Sequence, residues 1–295
     1  SLGELKAGSP ECVLALAGAL SDDSEIAAAA IYALRQISDA DRSSLKPALL
    51  KLVLRLSSPD VNQACEACDL LEKAGPHAAE FSREIRLALD RTRPRVVCDR
   101  VSCLLLSMGD SGLAELIRAT DSRDPYTRQA AESVIEQYDC QTDESVSMLA
   151  GVLRWGTPSA RNASLAALGK AGPRASCVAH HVAHAANDPE TACKAVAAIL
   201  RIPCDAKVRV IALVSGYYQS SDPQTRFVAI QALRAIPRDR RALNAQLDAI
   251  WDEQSLYVRL AAIENLRDFP DPDSWSPRLV EILDIDDKEW EERGR

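Results

Sequence analysis

Apolar residues in this chain come in short bursts at helical spacing, not in the strict alternation of a strand. The bursts cover about twelve residues each: Thr127 to Tyr138, Ala160 to Ala171, Thr225 to Ile236 and Tyr257 to Phe269 are examples. Within each, apolar positions recur every three or four residues, which places them on one face of a helix. Each burst closes at a stop signal: Gly75-Pro76, Gly109, Gly172-Pro173, Pro203, Pro237 or Pro270. A second periodic segment fills the gap before the next burst, as at Leu45 to Leu56, Ser145 to Leu153, Val208 to Tyr218 and Ala242 to Trp251.

The starts repeat as well. A polar residue followed by proline precedes the helix at Ser58-Pro59, Arg93-Pro94, Asp124-Pro125, Thr157-Pro158, Asp188-Pro189 and Asp222-Pro223. A weaker first copy lies near Asp23-Ser24 and a last one at Ser255-Leu256. The intervals between the six prolines are 35, 31, 33, 31 and 34 residues. Ser, Thr or Asp at an N-cap accepts a hydrogen bond from a backbone N–H the helix cannot satisfy. Proline at the first helical position gives up only an N–H that has no partner there. The pattern predicts about eight helix pairs. No pair of that length buries its apolar stripe alone, so the pairs must stack as an α-solenoid.

The motif Asp-Pro-x-x-Arg-x-x-Ala-x-x-Ala-Leu carries a family resemblance. It stands as DPQTRFVAIQAL at 222–233 and, more loosely, as DPYTRQAAESVI at 124–135. It resembles HEAT repeats, most closely the short HEAT-like repeats of the phycobilisome-lyase type, over nearly the whole chain. The resemblance implies an all-α, right-handed superhelix over residues 1–283, followed by an acidic tail or capping segment at 284–295. It also implies a structural ladder, in which Arg128, Arg161, Arg226 and Arg259 bond to loop acids between repeats. Asp124 and Asp222 stand four residues before their arginines.

Composition supports helices: 47% of the 295 residues are hydrophobic and only 4% aromatic. No apolar run approaches the roughly 18 residues needed to span a membrane, and no basic segment precedes an apolar stretch near Ser1, so the chain reads as cytoplasmic. The nine cysteines are scattered. Cys65-x-x-Cys68 falls inside a helix with no second pair, which argues against a zinc ribbon. The net charge of −8 is uneven: residues 1–150 hold 16 basic against 24 acidic side chains, and residues 151–295 hold 19 of each. An acidic whole argues against a nucleic-acid partner.

Candidate chemistry is sparse. Cys177, His180, His181 and His184 are spaced i, i+3, i+4, i+7, on one face of a helix, with Ala175, Val178, Val182 and Ala185 centred about 130° away. Paired imidazoles with a thiolate would suit zinc, although one helix alone rarely completes a tetrahedral site. No His-Glu pair is present, which excludes the di-iron HEAT-like hydroxylases. There is no Gly-rich phosphate loop and no Gly-x-Ser-x-Gly, and no cofactor is expected.

A row of bases completes the inventory. Lys170, Arg201, Arg234 and Arg267 are 31, 33 and 33 residues apart, each in the last turn of the helix that starts at Pro158, Pro189, Pro223 or Leu256. In HEAT proteins that helix is the second of its repeat and lines the concave face. Gln129, Glu136, Asn162, Gln231 and Glu264 would share that surface. Cations favour helix C-termini in any case. A positive stripe is also what an acidic or phosphorylated protein segment would need, the chain's own Asp284 to Glu292 included. The expected function is therefore a non-catalytic scaffold or adaptor binding a protein segment. The alternative is a HEAT-like enzyme such as a bilin lyase or isomerase.

Overall fold

A computed structural model describes residues 46–89 and 94–270 continuously, with isolated helical positions at 19, 26, 29, 30, 32, 33, 272, 273, 275–277, 279 and 280. The acidic tail and the weak first repeat lie outside the continuously described residues. Among the described residues there are fourteen α-helices, two 3-10 segments and no strand. None of these helices is long and apolar enough to cross a membrane. The chain divides into two compact units, with the division along the sequence between Tyr138 and Asp139.

The first unit holds α1 (Lys46–Arg55), α2 (Val61–Ala74), α3 (Ser82–Leu89), α4 (Arg95–Ser107), α5 (Asp110–Ala119) and α6 (Pro125–Gln137). Helices α2, α4 and α6 pack successively on one another, and α3 packs on α5 in a second row. Leu52, Leu71, Ile85, Leu105, Leu113, Leu116 and Ile135 are fully buried in this unit. Glu115, only 5% exposed, is held by Arg86 Nε at 2.9 Å and by Arg118.

The second unit holds α7 (Asp143–Trp155), α8 (Pro158–Ala171), α9 (Ala179–Ala185), α10 (Ala192–Ile199), α11 (Ala206–Gln219), α12 (Pro223–Leu233), α13 (Arg240–Asp252) and α14 (Leu256–Leu266). The helices again alternate between two rows, α8, α10, α12 and α14 against α7, α9, α11 and α13, each packed on its neighbours. Small residues set how closely the rows approach. A Cβ on Gly169 of α8 would lie 3.1 Å from Ala198 Cα of α10, and one on Gly216 of α11 would lie 2.1 Å from Val196 Cγ2.

The start signal works as expected in three places. Pro125, Pro158 and Pro223 each open a helix, and the Asp124, Thr157 and Asp222 side chains accept backbone N–H bonds there. The other three starts differ. Asp60, not Ser58, caps α2; Pro94 is itself the cap of α4; and α10 begins only at Ala192, three residues beyond Pro189. In the last case the Asp188 carboxylate is engaged elsewhere, by the Glu190 N–H at 3.0 Å and by Arg161 at 2.8 Å. The stop at Gly172 is a left-handed residue (φ 54°) that turns the chain from α8 into a 3-10 segment, Gly172–Val178.

Candidate functional site

The arginine column is divided between two tasks. Arg128 donates to the carbonyls of Ser122 (2.7 Å) and Arg123 (3.1 Å), bracing the loop before its own helix. Arg226 does this too, reaching Ser220 O at 3.0 Å. It also grips Glu253, 27 residues on, with Nε and Nη2 at 2.7 and 2.9 Å. Arg161 reaches Asp188, also 27 residues on, in the loop before the next repeat. Arg259 makes no side-chain hydrogen bond among the described residues. Asp124 and Asp222 cap their helices. Each accepts from the backbone and hydroxyl of a threonine, Thr127 and Thr225, three residues on. The Thr225 hydroxyl first, then the Thr225 and Gln224 amides, hold the Asp222 carboxyl below the usual carboxylate range.

Glu253 is 7% exposed. Burial pushes its carboxyl upward, but the Arg226 fork and the Ser255 and Gln254 amides outweigh that and hold it below its ordinary value. Close by, the last turn of α12 tightens, so that the Arg234 N–H bonds to Gln231 O and not to Ile230 O. The side chains of Gln246 (3.0 Å) and Asn265 (2.8 Å) both donate to that carbonyl, linking α12 to α13 and α14 inside the core.

The His stripe has a different setting. The 3-10 segment ends at Val178 and α9 starts at Ala179, so Cys177 sits in a tighter helix than the imidazoles. The expected four-residue face is broken there, because a 3-10 turn advances about 120° per residue. Cys177 is exposed, with its thiol toward Arg174 O. Among the described residues no group of three or more His, Cys, Asp or Glu is arranged to hold a metal.

His180, His181 and His184 line a pocket of about 660 Å³ together with Arg154 and Trp155 from the end of α7, Arg161 from α8, and Asp188. The rings of His180 and His181 lie 3.9 Å apart, tilted by 42°. Burial, then the neighbouring His180, Arg154 and His184, push the His181 imidazole below its ordinary value. Trp155 is 87% exposed. Two polar atoms of the lining, Arg161 Nε and His181 Nδ1, are buried without a hydrogen-bond partner among the protein atoms, a costly state that calls for an explanation.

The row of bases is on the surface. Lys170, Arg201, Arg234 and Arg267 are all exposed; Gln231 is half-buried and Glu264 exposed. Lys170 lies inside α8, Arg234 and Arg267 are the C-caps of α12 and α14, and Arg201 lies two residues past the end of α10. Arg234 is ion-paired to Asp268. In the two arginine-rich stretches, Arg86, Arg95, Arg100 and Arg241 are committed to Glu115, Asp99, Asp69 and Asp239. Arg91 and Arg93 lie outside the described residues. Cys65 and Cys68 are free and lie inside α2, where burial pushes the Cys68 thiol up to about 12 and makes it inert.

Sequence reasoning missed Arg154, Trp155 and Asp188 as one site. A register signal existed for two of them. Counting 27 residues on from Arg128, Arg161 and Arg226 gives Trp155, Asp188 and Glu253, so an indole occupies the place of the acid in that column. The chain matches no protein-family model and no curated protein.

Proposed function

We propose that this chain is a HEAT-like, right-handed solenoid of about eight helix pairs, acting as a non-catalytic scaffold or adaptor that holds an extended protein segment. The carrying observation is the exposed base presented near the C-terminal end of four successive helices of one row, Lys170, Arg201, Arg234 and Arg267. Side chains repeated at one register suit an extended acidic segment, whose own charges recur along its length. A repeat stack offers such a strip without a deep catalytic cleft, and Gln231 and Glu264 add hydrogen-bonding capacity beside it.

The test is affinity capture from the native source with quantitative mass spectrometry, comparing the wild type with the double reversal Arg201→Glu and Arg267→Glu. These two are chosen because Arg234 is already tied to Asp268. A partner recovered at least fivefold less on the variant, at unchanged melting temperature and with affinity falling as salt rises, supports the reading. Identical recovery on both proteins would reduce the row to helix-end electrostatics.

A further inference from the structure

We propose that the pocket between α7, α8 and α9 is a binding site for a phosphate monoester whose carbon skeleton lies on Trp155. This stands apart from the base row and does not depend on it. The charge balance of the lining comes first. Arg161 is compensated by Asp188 at 2.8 Å. Arg154 has no ion-pair partner among the described residues, and it stands with three imidazoles around the same 660 Å³ space. An uncompensated guanidinium is suited to bidentate contact with a phosphate, and imidazoles donate N–H bonds to the remaining oxygens.

The imidazoles also explain why the ligand is a phosphate and not a carboxylate. One guanidinium satisfies a carboxylate. A phosphate monoester passes between one and two negative charges near pH 6, where imidazoles gain and lose theirs. His181 is faced by His180 and His184 from its own helix, by Arg154 from α7, by Arg161 from α8 and by the Asp188 carboxylate. Without an anion the cations outnumber the acid, and the His181 imidazole is held below its ordinary value. A dianion reverses that balance, so binding takes up protons.

Trp155 supplies the other half of the specificity. An indole 87% exposed at the pocket wall offers a flat apolar face to a ring or hydrocarbon stem on the phosphate. The site is a single recess interrupted by Asp188, in a chain of net charge −8, which matches one phosphate group and not a polyanion track.

The experiment is proton NMR of the imidazoles in the full chain, which has only four histidines. Phenyl phosphate is titrated in one arm, a tyrosine-phosphorylated pentapeptide in a second, and inorganic phosphate and benzoate serve as comparisons. Saturable shifts of three imidazole resonances, with the His181 midpoint moving to higher pH, are expected with phenyl phosphate or the phosphopeptide. Arg154→Glu should weaken binding at least tenfold. Trp155→Ala should bring phenyl phosphate down to the affinity of inorganic phosphate. Tighter binding of the peptide assigns the phosphate to a protein; equal or tighter binding of phenyl phosphate assigns it to a small molecule. No saturable shift, benzoate binding as tightly as phenyl phosphate, or affinity untouched by Arg154→Glu in a folded protein overturns the site.

Discussion

Two rungs of the same arginine column end differently. At α12 the proline is the first helical residue, Asp222 caps the helix, and Arg226 forks onto a Glu253 that is almost wholly buried. At α8 the proline is again in place, but the acid that answers Arg161 belongs to the displaced start of α10. There the helices are short, seven residues in α9 and eight in α10. Asp188 has left its capping role, and a pocket remains. One repeat unit therefore yields a sealed core or a recess, depending on whether the answering acid is buried, as Glu253 is, or sits at the displaced start of the next helix, as Asp188 does.

The largest separation between the rungs should come from removing their acids. Glu253→Ala leaves a mostly buried guanidinium unpaired and should cost about 3 kcal/mol in urea unfolding. The Arg161 guanidinium is about as buried as that of Arg226, but the Asp188 carboxylate is 31% exposed against 4% for Glu253, so Asp188→Ala should cost less, about 1 kcal/mol. Equal losses would erase the distinction.

Gly216→Ala tests how tightly the short repeat is packed, because the new methyl would overlap Val196 across the α10–α11 contact. It should destabilise by about 1–3 kcal/mol. Gly151 is its control: it lies in α7 with nothing within 4 Å of an added Cβ, so Gly151→Ala should stabilise by up to about 1 kcal/mol.

Acid should affect the rungs in different pH ranges. The Glu253 carboxyl is held below 4.5 in the folded chain, so its contribution is present above that value and lost as pH falls through its lowered folded value. The His181 imidazole is held below 6.5, so the unfolded chain binds the extra proton first, and stability declines as pH falls from 6.5. His181→Gln should flatten the decline beginning at 6.5 while leaving the one below 4.5, read by thermal melts at each pH. The smallest effect belongs to Trp155→Ala, which should change unfolding by less than about 0.5 kcal/mol, since the indole is exposed.

Much of this fold was legible in the residue order. Helix spacing, the polar-proline starts at 125, 158 and 223, and the glycine stops at 75, 109 and 172 each depend on a few neighbouring residues. The candidate site was legible only in pieces. The His stripe was visible as a stripe, but the wheel that placed Cys177 beside it assumed one continuous α-helix, and the 3-10 segment broke that assumption.

By itself, the sequence determined that the chain is helical, where most helices start and stop, and that arginine recurs at one register. These are matters of backbone hydrogen bonding and local sterics, settled within a turn or two. Tertiary structure alone decided what each arginine grips, that Gln246 and Asn265 converge on the Ile230 carbonyl, and that Arg154, Trp155 and three imidazoles enclose one space. Those outcomes depend on residues about 15 to 35 positions apart, whose distances are set by how closely small side chains let neighbouring helices pack.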